Sequence, residues 1–134
     1  MSDWRYLLAP FLAWLLAGGI KFLINCLQQK RLAFDLIGYG GMPSNHSAIV
    51  VTMLALIGTD VGLDAPVFGL AVTLTFIVLL DATSLRRAVG RQAQVINRLA
   101  PEAGLRERMG HSRAEVAVGA LLGLVLGYLL GACL

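Results

Sequence analysis

Charge is what this chain has least of. Only 14% of its 134 residues are Asp, Glu, Lys or Arg, against 57% hydrophobic residues, and that balance excludes an ordinary soluble globular domain, in which about a quarter are charged. Cysteine is nearly absent. Cys26 and Cys133 lie far apart in apolar surroundings, so neither a disulfide framework nor a cysteine metal site can be read from them, and both behave as small hydrophobes. Histidine is as scarce, with His46 and His111 alone. The first apolar run also lacks the marks of a signal peptide: its core is too long, Lys21 lies inside it and no small-residue cleavage pattern closes it.

What the chain has instead is apolar stretches: 7–28, interrupted only by Lys21, then 65–80 and 116–134, with a shorter one at 47–59. A helix rises 1.5 Å per residue, so crossing a hydrocarbon layer of roughly 30 Å takes about 20 residues. The first and last stretches meet that length and 65–80 comes close. The stretch 47–59 crosses only if its helix begins near Ser44 and sits among neighbours or in a thinned bilayer. The fold expected is all-α: one integral membrane domain over residues 1–134, a polytopic bundle of about four membrane-embedded helices with a cytoplasmic-side amphipathic helix added.

Orientation follows from the loops. Residues 29–45 and 82–113 carry Lys30, Arg31, Arg86, Arg87, Arg91, Arg98, Arg106, Arg108 and Arg113, whereas the opposite side has only Arg5. The positive-inside rule makes the basic side cytoplasmic and puts both termini outside. Within the long loop, Leu85, Val89, Val95, Ile96 and Leu99 recur at partly helical spacing among arginines, which predicts an interfacial amphipathic helix over 82–100. Pro101 breaks it, and 103–109 offers a second short helix. Nine basic residues spread over two membrane-side loops fit topology and anionic lipid better than nucleic acid, which is not expected as a partner.

Gly119, Gly123, Gly127 and Gly131 repeat every four residues in the last stretch. Their shared face lets another helix approach closely, either within the chain or from a second copy as a homo-oligomer. Stepping back by fours from Gly119 reaches Glu115 and then His111, so a carboxylate and a histidine cap that same face on the basic side.

An ionisable group within a span is costly and faces the bundle interior, a cavity or the interface. Lys21, with Asn25 continuing its polar face, either snorkels to the headgroups or holds a cation over a pocket. Asp81 is placed to orient Arg86 or Arg87, only one of which can point inward. In GYGGMPSNHSA the glycines Gly38, Gly40 and Gly41 allow a tight turn, Ser44 is a credible N-cap, and Asn45 and His46 occupy the first helical turn, where free N–H groups attract an anion. All these groups map to one membrane side. Metal binding by His46, His111, Glu115 and Asp81 lacks a ligand signature and is opposed by the cations, so no metal or cofactor is expected. Proton-coupled transport through Asp81 and Glu115 leaves four short helices little room. Phosphoryl transfer uses the inventory most fully, with one histidine attacking phosphorus, the other protonating the leaving oxygen, a carboxylate fixing the first imidazole and cations holding the phosphoryl group.

GGMPSNHSA, DATSLRRAVGRQAQVIN and LRERMGHSRAEV together resemble the divergent branch of the type 2 phosphatidic acid phosphatase superfamily, which is related to vanadium-dependent haloperoxidases and bacterial acid phosphatases. The resemblance implies that His111 is the nucleophile, Glu115 its orienting carboxylate and His46 the general acid. It further implies that Lys21, Ser44 and Asn45 hold phosphate with Arg86, Arg87 or Arg106, with Asp81 orienting. Asn45 stands where that superfamily usually has glycine, and Gln28 and Gln29 stand where its first motif has arginine and proline. The implied function is metal-independent hydrolysis of a lipid phosphate or diphosphate at the cytoplasmic side of a bacterial inner membrane. The alternatives are an anionic-lipid-binding membrane protein without turnover and, third, a small transporter.

Overall fold

The computed structural model describes residues 4–37 and 40–133; Gly38, one of the three loop glycines, lies outside the described residues. The chain forms α1 (Trp4–Gln29), a 3-10 turn (Phe34–Leu36), α2 (Asn45–Asp60), α3 (Pro66–Thr83), α4 (Leu85–Leu99), a second 3-10 turn (Pro101–Ala103) and α5 (Arg113–Ala132), with no strand among the described residues. Three helical stretches are long and apolar enough to cross a membrane: Trp4–Gln29, Pro66–Leu99, in which α3 runs on into α4, and Arg113–Ala132. The fourth expected crossing, α2, is not among them at 16 residues.

Enclosure explains how so short a helix belongs here. The apolar surfaces of α1, α3 and α5 stay open, with Phe11, Leu15, Leu70, Phe76, Leu121 and Tyr128 all more than half exposed, while no large apolar side chain of α2 is exposed. An outer belt of this kind is stable against lipid and untenable in water. α2 instead touches α1, α3 and α5, so its length has to match its neighbours and not the bilayer.

Small residues make that enclosure close. On α1, Ala9, Ala13, Ala17 and Lys21 are the buried positions, one face in steps of four. On α5, a Cβ at Gly123 would sit 2.7 Å from the Ala48 carbonyl and one at Gly131 2.7 Å from Thr59 Cβ, while Gly119 and Gly127 lie still closer to the carbonyls of Ser44 and Thr52. α5 therefore runs parallel to α2 with backbone against backbone. Of the two packings left open for Gly119, Gly123, Gly127 and Gly131, the one seen here is within the chain, with α2 against that face. Gly127→Leu is expected to destabilise the bundle by about 3 kcal/mol or more, since the carbonyl it meets cannot move aside. Lipid-facing Leu124→Ala should stay within about 0.5 kcal/mol. Thermal unfolding in detergent separates them, and equal melting of the two variants would refute the packing.

The end of the bundle remote from the basic loops is tied by charge. Arg5 reaches Asp60 Oδ2 at 2.7 Å and donates to the Leu130 carbonyl at 2.8 Å, and the Tyr6 hydroxyl donates to Asp60 at 3.0 Å. One arginine thus fastens the start of α1 to the ends of α2 and α5. At the basic end, the short helix expected over 103–109 does not form. Gly104 is left-handed (φ 56°), and the Asn97 amide accepts from Leu105 N–H and donates to the Leu105 carbonyl and Glu107 Oε1, each at 2.8 Å. The segment is consequently irregular and laid along α4 over Gly90.

Candidate functional site

The two histidines come together because two helix starts are locked to each other. Ser44 caps α2, its Oγ accepting from Ser47 N–H at 3.4 Å and from the Ser47 hydroxyl at 3.0 Å, and its own N–H donates to the Glu115 carbonyl at 3.1 Å. At α5, Ser112 and Glu115 form a reciprocal capping box, with Glu115 N–H to Ser112 Oγ and Ser112 N–H to Glu115 Oε2, both 3.2 Å. Gly110, at φ 85°, turns the chain into this start, and His111 N–H is anchored on the Ala82 carbonyl at the end of α3, 3.0 Å away.

The result is a pair of imidazoles with ring centroids 6.2 Å apart, tilted by 56°. His111 is buried, and its Nδ1 lies 2.9 Å from Glu115 Oε2. With Nδ1–H donating to the Glu115 carboxylate, the neutral imidazole has its Nε2 lone pair free. His46 lies ahead of the apolar stretch 47–59. Burial, followed by the neighbouring Arg86, His111 and Lys21, holds its imidazole below the ordinary histidine pKa, with Asp81 opposing. Asn45 Oδ1 and His46 Nδ1 are both buried with no hydrogen-bond partner among the described residues.

Both rings face a cavity of about 710 Å³. Lys21, Asn45, His46, Arg86, Arg106 and His111 line its polar part, and Trp14, Leu15, Phe22, Phe34, Ile37 and Ile49 line its apolar part. Trp14 and Leu15 also belong to the exposed belt of α1, so the apolar part opens sideways towards lipid. Phe34 of the first 3-10 turn stacks tilted on Phe22 with centroids 5.1 Å apart and roofs this side.

These three motif regions converge in a chain whose residues 3–126 match the model of the divergent PAP2 family. The chain belongs to that family. A relative, the membrane protein YuiD of Bacillus subtilis strain 168, is 33% identical over 141 residues, which is 90% of this chain and 89% of that protein. No solved structure matches.

Placed on this member of the divergent PAP2 family, the expected site residues divide into two groups. Lys21, Asn45, His46, Arg86, Arg106 and His111 share the large cavity. Glu115 stands behind His111, and Asp81 Oδ2 accepts from Arg86 Nε at 2.9 Å. Ser44 and Arg87 are elsewhere: the Ser44 hydroxyl is fully buried in its cap and lines neither cavity, and Arg87 lines a second, smaller cavity. Of the two arginines left open by the sequence, Arg86 faces the histidines. Lys21 does not reach outward to the headgroups along an exposed face, since it is only 9% exposed. Its alanine stripe, Ala9, Ala13 and Ala17, carried that information. Arg108 was read only as topology charge and was missed as a cavity residue.

Proposed function

We propose that this chain is a membrane phosphatase that hydrolyses a lipid phosphate or diphosphate, with the phosphoryl group between His46 and His111 and the lipid chain along the apolar part of the cavity. One observation carries the reading: a carboxylate-held histidine faces a second histidine at 6.2 Å inside a cavity that is cationic where they meet and apolar where it opens to lipid. His111 Nε2 forms the bond to phosphorus as the bond from phosphorus to the lipid oxygen breaks, and protonated His46 gives its proton to that oxygen. Water then attacks phosphorus while His46 takes its proton. The N–P bond breaks with its electron pair returning to Nε2, and orthophosphate is released. Lys21, Arg86 and Arg106 supply the positive charge that the transferring group needs, and Asp81 fixes the direction of Arg86.

In this reading α2 is a fourth membrane-embedded helix, supported by its enclosure, and α4 is the interfacial amphipathic helix, with Leu85, Ile96 and Leu99 exposed beside its arginines. The basic end, and with it the site, faces the cytoplasm of a bacterial inner membrane. The test is phosphate release by detergent-purified protein across phosphatidic acid, polyprenyl phosphate and polyprenyl diphosphate, without added metal. Turnover that requires His111 is the expected result, and no histidine-dependent turnover on any of them refutes the proposal. A second reading, binding of an anionic lipid without turnover, is favoured by one observation: Ser44 is fully buried and lines neither cavity, so the site has one phosphate donor fewer. It expects lipid phosphate binding that Arg86→Ala removes, with no product formed.

A further inference from the structure

His111 is the wall between two cavities. The smaller, about 170 Å³, is lined by Arg87, Arg108, Ser112 and Glu115 and shares Gly40, Met109, Gly110 and His111 with the larger one. Glu115, which holds Nδ1, lines only the smaller cavity, so the Nδ1 edge of the ring belongs to that side and Nε2 is turned away from it. The partition is thin. A Cβ on Gly40 would lie 3.0 Å from the Gly110 carbonyl, and one on Gly110 would meet Arg87 Cγ at 2.6 Å, so the close-packed backbone of these glycines and the stem of Arg87 border both spaces there.

The two cavities differ in chemistry. The larger has a long apolar lining and opens to lipid. The smaller has two guanidinium groups, and its single carboxylate is already engaged by His111 and Ser112 N–H. Among the described residues neither Arg87 nor Arg108 has a hydrogen-bond or ion-pair partner, and both side chains belong to exposed residues of the basic loops. At about 30 Å³ per water the space holds about six waters, enough for the five heavy atoms of orthophosphate.

We propose that the smaller cavity is an oxyanion site for orthophosphate on the water side of His111, where the phosphate product of the reaction binds. The assignment of orthophosphate as product rests on the phosphatase reading above. The apolar, lipid-facing lining of the larger cavity suits the lipid chain and disfavours a multiply charged anion. Arg87 and Arg108 offer it charge-assisted hydrogen bonds on the water side of the same histidine.

The experiment is titration of the detergent-purified full chain with orthophosphate, followed by phosphorus NMR, for wild type, Arg87→Gln, Arg87→Lys and Arg108→Gln, with melting temperature as the folding control. Wild type is expected to bind orthophosphate, with each Gln variant about ten-fold weaker and Arg87→Lys close to wild type. In turnover, the ratio of the phosphate inhibition constant to the lipid KM rises by the same factor in the Gln variants. Unchanged or undetectable binding throughout overturns the site. Competition with phosphatidic acid vesicles distinguishes the source: if the lipid occupies the Arg87 and Arg108 site and orthophosphate does not, the cavity holds a headgroup and the orthophosphate site is overturned. Arginine-dependent orthophosphate binding in a protein that turns over no lipid keeps the anion site and sinks the phosphatase reading instead.

Discussion

His111→Ala lowers phosphate release by about 10³-fold or more while leaving the bundle folded, the largest effect expected of any single substitution here. The magnitude follows from what is removed, since without Nε2 there is no atom to form the bond to phosphorus, and positioning and charge alone leave only residual catalysis. Folding is expected to survive because the structural contacts at this position come from the main chain: His111 N–H to the Ala82 carbonyl, and the capping box of Ser112 and Glu115 that follows. Glu115→Gln separates orientation from nucleophilicity. Its amide oxygen can still accept from Nδ1–H and from Ser112 N–H, but it carries no charge to stabilise the imidazolium, so a smaller loss, about 10²-fold, is expected. Rapid-quench detection of a phosphorylated intermediate, present in wild type and missing in His111→Ala, is the decisive measurement. Full activity in His111→Ala would remove the histidine from the chemistry altogether.

Much of this arrangement was legible in the chain because it repeats in fours. Gly119, Gly123, Gly127 and Gly131 run back to Glu115 and His111, and the face that α2 covers is the face those two residues begin. The same logic applied to Ala9, Ala13 and Ala17 would have fixed Lys21 inside the bundle, but alanine also faces lipid without penalty and so marks a buried stripe less sharply than glycine does. Which helix fills the glycine face is not a property of α5, so self-packing and dimerisation read alike until α2 is seen against it. Arg86 and Arg87 were undecidable for a local reason: the turn at Ser84 (φ −115°, ψ −70°) interrupts the helical phase between α3 and α4, and counting from Asp81 across that break does not say which residue points inward. Ser44 was legible as a cap and as a phosphate ligand at once; in the fold its Oγ accepts the cap bonds and the residue is buried outside both cavities. The clasp of Arg5 on Asp60 joins residues distant in the chain and becomes visible only when α1 and α2 are known to be antiparallel neighbours.

His46→Ala is expected to act through the leaving group. A general acid contributes about 10² to 10⁴-fold when the departing oxygen needs a proton, and little when it does not. The loss should therefore be large for a lipid monophosphate, whose leaving group is an alkoxide, and much smaller for a diphosphate, which expels a phosphate already stable as an anion. The pH profile carries an independent signature. Burial, then Arg86, His111 and Lys21, outweigh Asp81 and disfavour the imidazolium, so the free enzyme holds His46 in its acid form only below the ordinary histidine range near 6.5. Because kcat/KM reports the free enzyme, it should fall with rising pH from a midpoint below that value. In kcat the midpoint should lie higher, because a bound phosphate dianion beside the ring stabilises the proton. His46→Ala should abolish this limb in both parameters. A phosphomonoester itself titrates near pH 6, which gives the contrary outcome a definite form: a limb that persists unchanged in His46→Ala belongs to the substrate, and an equal loss of rate on monophosphate and diphosphate would make His46 a binding group and not the acid.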